Sequence, residues 1–250
     1  ISDSILIVAG KNWEKYSISE DFERITLQPG IIGARVNEIL KPHGRKFAPD
    51  PASVKSAMVG GIVMNNASGM NCGTHANSDK ELLSAKIVLA DGTRLNTGAP
   101  ESRMTFEKNH TPFLNKIIEI RDEIRNDNEL SDRIRKKYSI KNVTGLNLLP
   151  FVIYDDPFDI IAHLMVGSEG TLAFLSEVTM KTEHDYPYSA SAMLYFSNIK
   201  DACRAVVAMK PGPVFSAELL DKKSLASVND TTGTGLTAVL TETKADTPEE

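Results

Sequence analysis

Cysteine is nearly absent from this 250-residue chain, with only Cys72 and Cys203. Two thiols cannot build a disulfide framework or a cysteine zinc site. Long apolar runs are missing too: nothing approaches the roughly 20 apolar residues of a membrane span, and the N-terminus lacks a basic stretch followed by an apolar one. Positive charge is in deficit, because 28 Lys and Arg stand against 33 Asp and Glu for a net charge of -5. That balance argues against a general nucleic-acid binder, whose phosphate contacts need a basic surface. No Walker pattern occurs and no GxGxxG follows a strand, so neither a P-loop nor a Rossmann site is supported. Neither His75 nor Cys72 has a second ligand at metal spacing, and no metal is expected. What is present is ordinary globular composition, 41% hydrophobic and 24% charged, enough for one large domain or two smaller ones. The cytosol is the simplest compartment, with peripheral membrane attachment left open.

The ends suggest a piece of something longer. Ile1 opens the chain without a methionine, beside the apolar run Ile5 to Val8, which reads as a buried strand already under way. Trp13 to Leu27 alternates as a strand pair turning near Ser19-Glu20-Asp21, and Ile32, Val36, Ile39 and Leu40 fall at helical spacing. Ala85 to Ala90 and Arg94 to Thr97 flank Asp91-Gly92, a strong hairpin signal. Thr111-Pro112 reads as a cap with proline at the first position of a long helix carrying Phe113, Ile117, Ile120 and Ile124. Asp159 to Val166 follows as a helix and Leu172 to Lys181 as a strand. After Tyr186-Pro187 a β-α-β-α-β rhythm ends with a strand at Leu236 to Thr241. It suggests a second, truncated α/β domain at 186–250, after a first domain at 1–185.

Two stretches concentrate the residues that shape ligand loops. From Phe47 to Asp79 come Pro49-Asp50-Pro51-Ala52-Ser53, Gly60-Gly61, Asn65-Asn66-Ala67-Ser68-Gly69 and Gly73. Glycine removes the Cβ that blocks close backbone approach, and Pro, Asp, Ser and Asn set turns that aim N–H groups outward. An ordinary surface loop has the same composition, but seldom over about thirty residues. The second stretch, Gly167-Ser168-Glu169-Gly170-Thr171-Leu172, fits a sharp turn with exposed amides or a plain helix stop.

Taken in order, these motifs, with Val88-Leu89-Ala90-Asp91-Gly92 and Lys141-Asn142-x-x-Gly145, resemble the vanillyl-alcohol oxidase type of FAD-binding protein. The D-lactate, glycolate and D-2-hydroxyglutarate dehydrogenase branch is most similar. The resemblance covers about residues 1–185. It implies an α+β fold: the second subdomain of a PCMH-type FAD-binding domain, followed by the start of an α/β cap (substrate) domain. It also implies FAD as cofactor, held by Pro49, Asp50, Ala52, Ser53, Gly60, Gly61, Asn65, Ser68, Gly69, Gly73, Gly167, Glu169 and Gly170. The reaction implied is hydride transfer from a small 2-hydroxy acid to flavin, with electrons leaving to a quinone, an iron–sulfur domain or another carrier. Three departures stand against the family pattern. The glycine-rich pyrophosphate loop is absent; Leu146 replaces a tyrosine and the span from Gly145 to Gly167 is long; and the far half of the cap, which in relatives supplies metal- or substrate-binding His and carboxylate residues, is missing. The catalytic base is therefore not located, and the isolated chain is expected to bind FAD weakly and to be inactive. Other readings keep the fold with an alcohol, sugar or lipid-precursor substrate, or make it a non-catalytic module.

Single residues are less telling. His75 and Cys72 read as a plain loop histidine and a buried small residue, with contact or attachment to flavin as the alternative. Glu169 is expected to hold its turn through backbone amides. Arg133, Arg135, Lys136, Lys137 and Lys141 form a basic run, either a solvated helix face or an attraction for an anionic acid or flavin phosphate.

Overall fold

A computed structural model describes residues 8–69, 75–143, 145–210, 212–228 and 236–249. The chain divides into two compact units, Ile1–His184 and Asp185–Glu250. In the first unit β1 (Tyr16–Ile18) and β2 (Arg24–Leu27) precede α1 (Gly33–Leu40), β3 (Arg45–Lys46), α2 (Val59–Met64) and α3 (Ser78–Glu81). The hairpin β4 (Leu82–Val88) and β5 (Arg94–Asn96) follows, with Gly92 in the left-handed region at φ 86°. Four helices come next: α4 (Pro100–Asn126), α5 (Asn128–Lys137), α6 (Leu149–Ile153) and α7 (Pro157–Leu164). The strands β6 (Phe174–Lys181) and β7 (Glu183–His184) close the unit.

Five strands form one antiparallel sheet in the order β1-β2-β6-β4-β5. Its inner face presents Ile25, Leu27, Ile87, Val178 and Met180, all buried, to Val36 and Leu40 of α1, Ile62 and Val63 of α2 and Ile161 of α7. Burying each such side chain contributes roughly 1.5–3 kcal/mol. Leu82 and Ala85, three apart, are both buried because the register shifts between Leu82 and Ser84, a bulge that changes the phase of alternation. The other face is polar: Thr26 and Thr179 share a 2.9 Å hydroxyl bond, and Lys86 lies 4.0 Å from Glu177. One dry face and one wet face is the usual condition of an antiparallel sheet. A second cluster joins Ile124 of α4, Ile134 of α5, Leu149, Phe151 and Val152 of α6 and Ile160 of α7.

One expectation is extended and one needs correction. The long helix expected from Thr111-Pro112 is present, but non-helical His110 (φ -131°, ψ 31°) joins it to a preceding helical arm that begins at Pro100, and the two arms together make α4. Phe106 stacks on His110 at 4.6 Å and packs edge-on against Phe113, which holds the two arms together across the missing N–H. The stretch from Phe47 to Asp79, read as a ligand loop, is interrupted at Val59–Met64 by α2, driven by burial of Val59, Ile62 and Val63. The strand expected at Ile5 to Val8 lies, apart from Val8, outside the described residues.

In the second unit β8 (Tyr188–Phe196), α8 (Ile199–Met209), β9 (Val214–Leu220), α9 (Lys222–Ser227) and β10 (Thr237–Ala245) follow one another. The sheet order is β8-β10-β9 with both pairings antiparallel, so β10 slots between two strands that run the same way. This is a split β-α-β arrangement. The last strand outruns its expected end at Thr241 and continues through Glu242-Thr243-Lys244, paired to β8 throughout. Asn198 and Asp221 cap α8 and α9 through their side chains.

Candidate functional site

Helix α2 is six residues long and carries adjacent glycines. Its first N–H groups are taken by loop carbonyls: Val59 donates to Ile31 and Gly60 to Pro29. A Cβ on Gly60 would stand 2.7 Å from the Pro29 Cβ, so protein packing explains that glycine. Gly61 differs. Nothing lies within 4 Å of the position its Cβ would take, its backbone is helical, and its N–H meets no acceptor among the described residues. Gly61 lines a cavity of about 530 Å³ together with Gly60, Asn65, Met58, Met64 and Pro29 from this side.

The opposite wall comes from a segment a hundred residues away. Glu169, Gly170, Ala173, Phe174 and Leu175 line the same cavity, as do Val8 and Ala9. The two walls are clasped at one atom: the Met64 carbonyl accepts the N–H groups of Gly167 and Glu169, each at 2.9 Å. The turn needs left-handed backbone at Gly167 (φ 86°), Glu169 (φ 52°) and Gly170 (φ 76°). At Glu169 that conformation is strained for a residue with a side chain. The expectation that the Glu169 carboxylate holds the turn is not met, since it makes no hydrogen bond or ion pair among the described residues. Ser168 holds it instead, its Oγ donating to Met165 O at 2.7 Å while Thr171 Oγ1 donates to Ser168 O at 2.6 Å. The 13 lining residues include Asn65 and Glu169 but no lysine or arginine.

The other expected residues gather in a second group. Pro49 is buried and Asp50 half-buried, and a Cβ on Gly69 would collide with the Asp50 carbonyl, so these backbones touch. Lys141 Nζ donates to Gly69 O at 3.3 Å. Gly145, later in the same element, places its carbonyl 2.9 Å from where a Gly167 Cβ would stand. Ser68 Oγ donates to Asn77 Oδ1 at 2.7 Å. Ala52 and Ser53 are exposed and line no part of the cavity; their segment turns through Ala57 N–H to Ser53 O and packs on α1 through Ala34 N–H to Val54 O. Gly73 and Cys72 lie outside the described residues, and His75 is exposed in a turn. Arg133, Lys136 and Lys137 lie on solvent, so Lys141 is the member of the basic run that approaches these loops.

Sequence reasoning missed a polar group behind the second wall. His163 is 5% exposed, its Nδ1 paired with Asp159 O at 2.8 Å and its Nε2 with the Tyr154 hydroxyl at 3.0 Å. Burial lowers the imidazole below its ordinary 6.5 and raises the Tyr154 phenol. Ser78 Oγ and Asp79 Oδ1 on α3 are buried with no hydrogen-bond partner among the described residues. The signal was weak, since a lone histidine on an apolar helix face has no distinctive spacing.

The fit to a flavin nucleotide rests on Gly61 and Gly170. Both expose bare backbone to the cavity with no protein atom in the space a Cβ would fill. Comparison with known proteins agrees. Residues 1–98 match the FAD binding domain family, a match that ends before α4. The chain is 26% identical over 213 residues to D-2-hydroxyglutarate dehydrogenase of Haemophilus influenzae, covering 80% of this chain and 20% of that protein. It is 26% identical to mitochondrial D-lactate dehydrogenase [cytochrome] 1 of Saccharomyces cerevisiae (82% and 26% covered). With glycolate oxidase subunit GlcD of Escherichia coli the identity is 23% (92% and 36% covered). The chain thus spans about a fifth to a third of these relatives. An alkyldihydroxyacetonephosphate synthase structure superposes with a TM-score of 0.57 at 15% identity, over 94% of this chain and 37% of that one, which shows a shared fold. The first 98 residues therefore match the FAD binding domain family, and the cofactor is FAD.

Proposed function

We propose that the first unit supplies one wall of the FAD site in an oxidoreductase acting on a small D-2-hydroxy acid of the D-2-hydroxyglutarate, D-lactate or glycolate type. The observation that carries this reading is the convergence of Gly60, Gly61 and Asn65 with Glu169 and Gly170 on one cavity, clasped at the Met64 carbonyl. Bound FAD supplies a two-electron acceptor for the hydrogen on the substrate's hydroxyl-bearing carbon. The chain's own contributions are binding and orientation. The Gly61 N–H is a donor with no acceptor among the described residues, beside open space, and the Gly170 backbone leaves room for close approach. Asn65 offers a carboxamide for the cofactor's polar edge, and Glu169 a carboxylate suited to a sugar hydroxyl. Pro49, Asp50, Ser68 and Gly69, steadied by Lys141, form the adjoining rim. Gly167 acts through the clasp rather than by contact. The second unit is read as the beginning of a substrate-side cap, and the electrons leave to a quinone, an iron–sulfur domain or another carrier.

The test uses the protein that carries this chain. Its flavin absorbance should bleach on anaerobic addition of D-2-hydroxyglutarate, D-lactate or glycolate, and Gly61→Val should lose flavin while keeping its circular dichroism. Full flavin retention in Gly61→Val removes α2 from the site. A bound flavin that none of the three acids bleaches removes the substrate class and leaves the cofactor reading standing.

A further inference from the structure

The segment from Arg133 to Ile153 holds five cations, Arg133, Arg135, Lys136, Lys137 and Lys141, and no carboxylate, in a chain of net charge -5. Acidic residues border it: exposed Glu129 and Asp132 stand one helical turn before Arg133 and Lys136 on α5 without an ion pair to either among the described residues, while Asp155 and Asp156 are engaged by Arg125 and Arg103; cations still outnumber acids on α5 and the segment after it. The surface therefore carries a patch of sign opposite to the molecule as a whole. Arg133, Lys136 and Lys137 stand at i, i+3 and i+4 on α5, neighbouring positions of one helix stripe. All three are exposed and none makes an ion pair among the described residues. Lys137 extends over the Tyr138 ring at 5.4 Å.

Apolar side chains are interleaved with these cations. Ile140 is 70% exposed, Leu146 50%, and Leu148 and Ile153 42% each. They belong to one local surface, because the Tyr138 hydroxyl donates to Leu146 O at 3.1 Å and Arg135 Nη2 reaches Val152 O at 3.4 Å. Single exposed apolar residues need no explanation. Four of them beside five cations, with acids only at Glu129 and Asp132 on the preceding turn, have the composition that binds an anionic membrane interface, where cations meet headgroups and apolar side chains enter the acyl boundary. We propose that this surface of the first unit docks on an anionic lipid bilayer, with Arg133, Lys136 and Lys137 over the headgroups and Ile140 and Leu146 entering the boundary. A soluble polyanion would use the cations but gain nothing from Ile140 or Leu146. No described helix is long and apolar enough to cross a membrane, so the attachment is to the surface. Lys141 takes no part, since it is engaged at Gly69 O. The proposal is independent of the flavin reading.

Co-sedimentation with vesicles tests it, using one part phosphatidylglycerol to two parts phosphatidylcholine, pure phosphatidylcholine as control, and heparin as a lipid-free polyanion. The protein should bind the anionic vesicles, spare the neutral ones, and release as salt is raised. The triple variant Arg133→Gln, Lys136→Gln, Lys137→Gln should lose about tenfold or more in vesicle affinity. Ile140→Asn should weaken vesicle binding and leave heparin binding unchanged. Flavin content and melting temperature, followed in parallel, should not move. Absence of anionic-vesicle binding, equal binding to neutral vesicles, or an Ile140→Asn variant with undiminished vesicle affinity would overturn the proposal, the last in favour of a polyanion surface.

Discussion

Gly60 and Gly61 are neighbours that lack a side chain for opposite reasons. At Gly60 an added methyl meets Pro29, whereas at Gly61 it meets no protein atom. Gly60→Ala should therefore destabilise the first unit by about 1–3 kcal/mol through overpacking. Gly61→Ala should leave the melting temperature unchanged or raise it, since alanine is up to about 1 kcal/mol better than glycine in a helix, and yet lower flavin retention. Thermal melting and flavin absorbance on the same two variants separate packing from binding; equal melting temperatures for both would refute the distinction. His163 makes a pH prediction. Its folded state favours the neutral imidazole because burial lowers the pKa below 6.5. The unfolded chain then takes up the proton first as pH falls, so stability is full above about 6.5 and declines below it. His163→Gln should flatten the melting temperature profile on the acid side of pH 6.5; an unchanged slope would mean that the imidazole does not carry it. Glu81 works in the other direction. Its carboxyl is raised above 4.5 by burial and by Glu183, so it contributes stability at low pH that is lost as pH rises through its folded value.

Helix α6 is short, and its C-terminal carbonyls depend on a neighbour. Arg125 on α4 donates to Phe151 O at 2.9 Å and Tyr154 O at 2.6 Å, and also pairs with Asp155. Asp155 is 91% exposed, so that ion pair adds little. Arg125→Ala should cost about 2 kcal/mol through the two carbonyls left behind. Arg125→Lys should recover only part of it, because an ammonium cannot span both acceptors as the guanidinium fork does. A denaturant melt checks this, and an alanine variant as stable as the parent would show that water caps α6 equally well. Elements were legible where local signals and tertiary packing agreed. Asp91-Gly92 announced the β4–β5 turn, and the spacing of Ile32, Val36, Ile39 and Leu40 announced α1. Helix α2 was hidden because two glycines depress propensity over only six residues, and buried Val59, Ile62 and Val63 override it. Pro112 read as a start, and helical backbone does resume at Thr111 after the break at His110. The preceding arm from Pro100, joined across that break by the packing of Phe106, His110 and Phe113, was not read from the sequence. The candidate site was legible as motifs but not as a shape: nothing in the sequence says that Met64 joins its walls, or that Ala52 and Ser53 stand outside them.

Among the described residues of the cavity's lining there is no lysine or arginine. The pyrophosphate of FAD seeks several charge-assisted hydrogen bonds, each worth roughly 1.5–3 kcal/mol. Lacking two or three of them weakens binding by several powers of ten, at about 1.4 kcal/mol per tenfold. The 250-residue chain by itself should therefore fold and yet release FAD on desalting. A stoichiometric yellow complex after desalting would contradict this and make the described walls sufficient. The clasp at Met64 also has a consequence in time. It joins residues about a hundred positions apart, as Met64 to Gly167. The β4–β5 turn closes over only a few residues. Contacts of short span form early and those of long span wait for the chain between them to be ordered. The hairpin and the α4–α5 pair can therefore be in place while the two walls are still apart. In that interval Met64, Phe174 and Leu175 have no partner across the gap, so a nascent chain is most exposed to aggregation just before its cavity closes.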